Sequence, residues 1–177
     1  MRDLTFFLLF VLLVDVHGAS LKDLYDALNT NKTIWLYKQC YEDNSEATGH
    51  TCVRWHKKNL TTSSYVFDYD YKKDGEYPTD YNTTATLSFV NEAATMNVNY
   101  TREGRGSTIV SYTLSFWNDI QKCFVLIRNT DNADKVQYEL HLWGSPLHGD
   151  HSVCDTKYNN LCVNKEQPEV FTEDKCM

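Results

Sequence analysis

His148-x-x-His151-x-x-Cys154 is one grouping whose residue types and spacing suggest chemistry, since two imidazoles and a thiolate set this way can hold zinc. Cys154 has a competing use. The chain carries six cysteines, an even set that forms three disulfides in an oxidising compartment, and the two histidines are then ordinary loop residues. No metal and no cofactor is expected. Glu42-Asp43, Asp68 with Asp70, and Glu173-Asp174 are paired carboxylates of the kind that performs acid–base work. Each falls on a loop or on the polar face of a strand, where a solvated surface is the simpler reading. A Gly-x-Ser-x-Gly elbow and a phosphate loop are both missing, and no cysteine is left over as a nucleophile. The chain is not expected to be an enzyme.

Binding chemistry is a stronger signal. Tyr65, Phe67, Tyr69 and Tyr71 alternate with polar residues and so share one side of a strand. Leu87 with Phe89, Met96 with Val98, and Tyr112 with Leu114 and Phe116 repeat the pattern. Such a face is either a packed core of aromatics or the wall of a ligand cavity, apolar with a few orienting polar groups. Glu139 sharpens the question. It alternates with Tyr138 and Leu140, which sends it outward if the apolar set faces the core, and inward if a helix covers that set from outside. Both orientations remain open at the level of sequence.

The elements that position these residues follow from the hydrophobic period. The runs Cys123–Asn129 and Lys135–Trp143, joined by turn-forming residues, read as a hairpin. Val153, Cys154, Lys157, Tyr158, Leu161 and Cys162 recur with a helical period, with Asp150 or Ser152 as the cap. Cysteines at both ends of this helix allow it to be stapled to one sheet. Ser20 and Asp23 open a short N-terminal helix with the stripe Leu21, Leu24, Tyr25, Leu28. From there the period is two. Strands are expected at Thr33–Tyr41, Thr51–Asn59, Ser64–Lys72, Asn82–Val90, Ala93–Thr101, Ser107–Trp117, Lys122–Asn129 and Lys135–Trp143, with a last short one at Glu169–Thr172. The fold class is all-β: an eight-stranded antiparallel barrel, wide enough for one small ligand, with a helix pinned outside.

Phe6–Val14 is a nine-residue apolar core that follows a single basic residue and precedes Val16-His17-Gly18. Residues 1–18 therefore read as a secretory signal peptide, since a membrane anchor needs about 18–20 apolar residues. The roughly 160 residues that remain fit one domain, secreted and without membrane insertion. The net charge of −7 argues against nucleic-acid partners. Asn31, Asn59, Asn82 and Asn99 each begin a glycosylation sequon.

Taken in order along the chain, several short motifs resemble one family. Thr51-Cys52-Val53, Cys123-Phe124-Val125, Tyr138-Glu139-Leu140, the cysteine-bearing helix and Val170-Phe171-Thr172 before Cys176 are similar to the tick salivary lipocalins, the group that contains the histamine-binding proteins, and among them to the japanin-like branch. The resemblance implies a lipocalin domain over residues 19–177. It implies the disulfides Cys52–Cys176 and Cys123–Cys154, with Cys40–Cys162 as the remaining pair. It further implies a monomeric protein of tick saliva that modulates host dendritic cells through an immune-cell surface protein and carries a small hydrophobic ligand, such as a sterol. By the alternation, the residues expected to line that ligand are Tyr65, Phe67, Tyr69, Leu87, Phe89, Met96, Val98, Tyr112, Leu114 and Phe116, with Glu139 if it faces inward. Two alternatives stand beside it: a scavenger of histamine or serotonin, and an inhibitor of a host complement or protease component. The chain departs from the amine-binding pattern at Phe124 and His141, and only Glu139 remains as a matched acidic partner. An unpaired buried ammonium is costly, so these departures favour a neutral ligand.

Overall fold

The computed structural model describes residues 18–41, 49–102, 106–129, 136–144 and 149–177. The expected signal peptide (all but Gly18), Glu42-Asp43, the turn after Asn129 and His148 lie outside the described residues.

Helix α1 (Leu21–Leu28) starts where its cap is strongest. The Ser20 hydroxyl accepts from the Asp23 backbone N–H at 3.1 Å, and the Asp23 carboxylate accepts from the Ser20 N–H at 2.8 Å. Its buried residues Leu24, Ala27 and Leu28 join the main core, and the helix closes one end of the barrel against β2, β4, β5 and β6. Trp143 donates its indole N–H to the Ala27 carbonyl at 2.8 Å.

The strands are β1 (Ile34–Cys40), β2 (Thr51–Leu60), β3 (Ser64–Lys72), β4 (Thr79–Val90), β5 (Ala93–Arg102), β6 (Gly106–Asn118), β7 (Cys123–Asn129) and β8 (Gln137–Trp143). Each pairs antiparallel with the next, and β8 returns to β1, so the expected eight-stranded barrel is closed. β4 begins earlier than its hydrophobic alternation suggests. The weakest seam lies between β1 and β2, which pair only at Ile34–Trp55 and Trp35–Arg54. Beyond that point the C-terminal segment fills the gap. Tyr41 and Glu166 exchange backbone hydrogen bonds at 3.0 Å, and the Cys52 N–H donates to the Val170 carbonyl at 2.7 Å.

This segment is not the strand expected at Glu169–Thr172. Residues 167–172 form no ladder with a neighbouring strand, although Val170 and Phe171 are both buried. Phe171 packs edge-on against Trp35 with ring centroids 5.3 Å apart. The short helix α3 (Glu173–Cys176) follows, tied to β2 by Cys52–Cys176.

Helix α2 (Ser152–Leu161) lies on the outside of β6, β7 and β8. Its first turn is satisfied by Asp150, which accepts from the Ser152 N–H at 3.0 Å, and by Gln121 from the β6–β7 turn, which accepts from the Val153 N–H at 2.9 Å. Ser152 itself is not the cap; His151 occupies that position, and its side chain caps no backbone N–H. Cys123–Cys154 and Cys40–Cys162 hold the two ends of the helix. A second core of Val125, Leu140, Leu142 and Tyr158 forms beneath it, separate from the barrel interior. Replacing Cys40 and Cys162 together with serine should lower the unfolding free energy by roughly 2–5 kcal/mol. The barrel should still fold, because the ladder closes through β1–β8 pairing. Chemical denaturation and far-UV circular dichroism check both halves of that statement.

Among the sequons, Asn31, Asn59 and Asn82 are exposed, whereas Asn99 is half-buried with its Oδ1 covered. Asp68 and Asp70 lie on the outer face but are not simply solvated. Lys58 pairs with Asp68 at 2.9 Å, while Arg54 and His56 meet Asp70 at 3.0 and 3.1 Å.

Candidate functional site

A cavity of about 380 Å³ occupies the half of the barrel away from α1. Its walls are Leu36, Gln39, His50, Val53, Trp55, Tyr69, Tyr100, Gly106, Thr108, Val110, Tyr112, Arg128, Glu139 and His141. The orientation of Glu139 follows from the second core. Because α2 covers Leu140 and Leu142 from outside, the alternate residues Gln137, Glu139 and His141 must face inward, and all three are buried. Cys123 and Val125 face the helix for the same reason, which turns Phe124, Leu126 and Arg128 into the barrel.

The cavity is polar on one side. Glu139 Oε2 lies 3.0 Å from His141 Nε2, and both side chains are almost inaccessible to solvent. Arg128 donates to the Gln137 amide oxygen at 3.3 Å. Burial opposes the Arg128 charge, but the surrounding Tyr112, Glu139, Tyr100 and Tyr69 more than offset it, so the guanidinium pKa lies above its ordinary value and the group stays protonated. Burial also pushes the phenols of Tyr100 and Tyr112 far above their ordinary value, so they serve as neutral hydroxyl donors and acceptors. His50 stacks on Tyr71 at 3.8 Å and meets the Tyr69 hydroxyl at 3.3 Å. Leu36, Val53, Trp55 and Val110 give the rest of the wall its apolar character.

The cavity floor is a column of rings. Trp55 and His141 are 4.5 Å apart, and His141 stacks on Phe124 at 5.0 Å. Phe67 lies 5.2 Å from Trp55 and stacks on Tyr65 at 4.6 Å. Below this column the barrel is full.

Of the residues expected to line a ligand, Tyr69, Tyr112 and Glu139 are in the cavity wall. Tyr65, Phe67, Leu87, Met96, Val98 and Leu114 are inside the barrel but belong to the packed core rather than the cavity wall. Phe89 is a correction: it sits on the last rungs of the β4–β5 hairpin and is 54% exposed. Phe116 is another. A register shift between Leu114 and Phe116 inserts an extra residue into β6 and reverses the alternation. Phe116 therefore packs outside, beneath α2, and Trp117 points inward instead.

Trp55, Tyr100, Arg128, His50, Gln39 and His141 are cavity residues that the alternation argument passed over. For Arg128 and His141 a signal existed. A cysteine bonded to the outer helix marks odd positions of β7 as outward, which leaves Arg128 inside. Zinc has no support here, because Cys154 is disulfide-bonded and His151 Nδ1 faces Asp155 at 2.7 Å. Among the described residues no cluster of three metal-ligating side chains occurs.

Solved structures share the architecture, three of them as follows. AM182 in its serotonin complex aligns with a TM-score of 0.57 at 22% identity, over 87% of this chain and 92% of that one. Japanin from Rhipicephalus appendiculatus bound to cholesterol aligns at 0.55 and 12% identity, over 82% and 96%. Apocrustacyanin C2 aligns at 0.53 and 12%, over 90% of both chains. At these identities the likeness is one of fold. No curated protein sequence is significantly similar to the chain. The family model described as tick histamine binding protein matches residues 15–177, so this lipocalin barrel belongs to the tick histamine-binding protein family.

Proposed function

We propose that the chain is a secreted, glycosylated carrier that captures a small aromatic amine inside its barrel. The observation that carries this reading is the inward Glu139, a carboxylate in an aromatic cavity beside Trp55, Tyr100 and Tyr112. An ammonium placed there meets an opposite charge and ring faces together, the combination that makes a desolvated cation affordable. The departures in sequence left Glu139 as the one matched acidic partner with its orientation open, and a buried, inward Glu139 is available to an ammonium. The serotonin in AM182, a protein of the same fold, supports the same class.

A sterol is the second reading, favoured by the apolar strip of Leu36, Val53 and Val110 and by the cholesterol bound in japanin. Its single hydroxyl would displace water from a wall that carries the charged Glu139 and Arg128 and would bring no counter-charge to either, which carries a desolvation cost. Modulation of host immune cells through the outer surface belongs with this second reading. Secretion rests on the apolar N-terminal run and on three disulfides, which persist in oxidising compartments.

Calorimetric titration of the purified protein with serotonin and histamine, beside mass spectrometry of an organic extract, separates the two. The amine reading expects a dissociation constant of about 1 μM or tighter for at least one amine and no stoichiometric sterol. A co-purifying sterol with no amine binding at millimolar concentration (about −4 kcal/mol) would sink it.

A further inference from the structure

We infer that Tyr77 is a site of tyrosine O-sulfation, modified as the chain passes through the secretory pathway. This rests on the secretion proposed above and not on what the cavity holds. Four tyrosines directly follow an acidic residue: Asp68-Tyr69, Asp70-Tyr71, Glu76-Tyr77 and Asp80-Tyr81. An enzyme that transfers a sulfuryl group holds an anionic donor in a basic cleft, so acids beside the acceptor tyrosine favour its docking. Both the ring and its acids must then lie at the surface, and the fold removes three of the four pairs. Tyr69 and Tyr71 turn into the barrel, while Asp68 and Asp70 are held outside by Lys58, Arg54 and His56. Tyr81 is 74% exposed, but Asp80 is half-buried with one carboxylate oxygen covered, and the sequon residue Asn82 adjoins the ring's own position. Tyr77 is 43% exposed, and both Glu76 and Asp74 ahead of it are exposed.

The local backbone presents this tyrosine. β3 ends at Lys72 and β4 begins at Thr79, so Tyr77 belongs to neither strand. Asp74 and Gly75 make the turn with φ of 52° and 85°, and Pro78 keeps the following chain extended. The Tyr77 hydroxyl donates to the Lys175 carbonyl at 3.0 Å, an exposed bond whose opening costs about 1 kcal/mol. Lys72 Nζ donates to the same oxygen at 3.2 Å, and Lys72 and Arg54 lie 5.2 and 5.7 Å from the ring centre. In the transfer the phenol oxygen attacks the sulfur of a nucleoside phosphosulfate. The sulfur–oxygen bond to phosphate breaks, the nucleotide leaves with the electron pair, and the phenolic proton passes to a base of the transferring enzyme. Nothing is oxidised or reduced. The ester has no proton to donate, so it releases the Lys175 carbonyl. Its sulfate oxygens then accept charge-assisted hydrogen bonds from the two cations already beside the ring.

The test is expression of the full chain, leader included, in cultured animal cells, with peptide mass spectrometry of the protein. The peptide that carries Tyr77 is expected to gain the mass of one sulfuryl group. The gain should vanish in Tyr77→Phe and in cells treated with chlorate, which blocks synthesis of the donor. It should persist in Tyr81→Phe and resist phosphatase, which excludes a phosphate of nearly equal mass. The pair Asp74→Asn with Glu76→Gln leaves the acceptor untouched and should cut the sulfated fraction several-fold. All of these positions are at the surface, so the variants should fold as the wild type does. A bare Tyr77 in protein recovered from the medium with its N-glycans overturns this inference alone. So does a gain that survives Tyr77→Phe, one that phosphatase removes, or one indifferent to the two acids. Retention of an unglycosylated chain inside the cells defeats the secretion reading, and this inference with it.

Discussion

Glu139→Gln is expected to weaken serotonin binding by about 100-fold, which is about 2.8 kcal/mol at 1.4 kcal/mol per factor of ten. The substitution keeps the shape of the side chain and removes only its charge. Two effects then add. The ammonium loses its counter-charge, and the Arg128 guanidinium on the neighbouring strand is left as the dominant charge, repelling the ligand. The fold should survive, since the glutamine oxygen can still accept from His141 Nε2, so the thermal midpoint serves as the control. Affinity for the uncharged 5-hydroxyindole should change by no more than about 3-fold, which distinguishes a lost charge from a collapsed cavity. An unaltered serotonin constant in this variant would mean that the carboxylate does not meet the amine.

How far the sequence foretold this site can be argued from single residues. The period-two pattern located all eight strands, because an antiparallel wall with one face buried leaves a regular trace. It failed where the register breaks. Nothing in the run Leu114-Ser115-Phe116-Trp117 announces that one residue is extra, yet that bulge sends Phe116 outside and Trp117 inside. Glu139 was undecidable for a different reason. Its strand carries Tyr138, Leu140 and Leu142 on one face, and that apolar set could face either the barrel interior or α2, which alternation alone does not decide. Arg128 and His141 were concealed by expectation, since polar residues on an inner wall run against the usual pattern and occur where function requires them. The seam between β1 and β2 was also invisible, because the C-terminal segment closes it through isolated backbone bonds rather than through a strand.

Phe124→Ala is expected to be the most destabilising single truncation near the site, at about 3–5 kcal/mol. Phe124 is completely buried. It packs on His141 at 5.0 Å on one side and on Trp117 at 6.3 Å on the other, and Trp117 in turn leans on Trp143 at 5.3 Å. Removing the ring leaves a hole between the cavity floor and the packed lower core, lined by large rigid rings that cannot collapse into it. The cost should therefore lie toward the upper end of the range for such truncations. Because His141 loses the surface against which it stacks, the Nε2–Glu139 hydrogen bond should loosen as well, so binding and stability fall together. Ile120, which is 92% exposed, supplies the control: Ile120→Ala should move stability by no more than about 0.5 kcal/mol. Urea denaturation of the three proteins measures both values, with equal m-values confirming that the same surface is exposed on unfolding. A loss below about 1 kcal/mol for Phe124→Ala would show that the floor repacks readily, and the rigid column of rings beneath the cavity would then have to be abandoned.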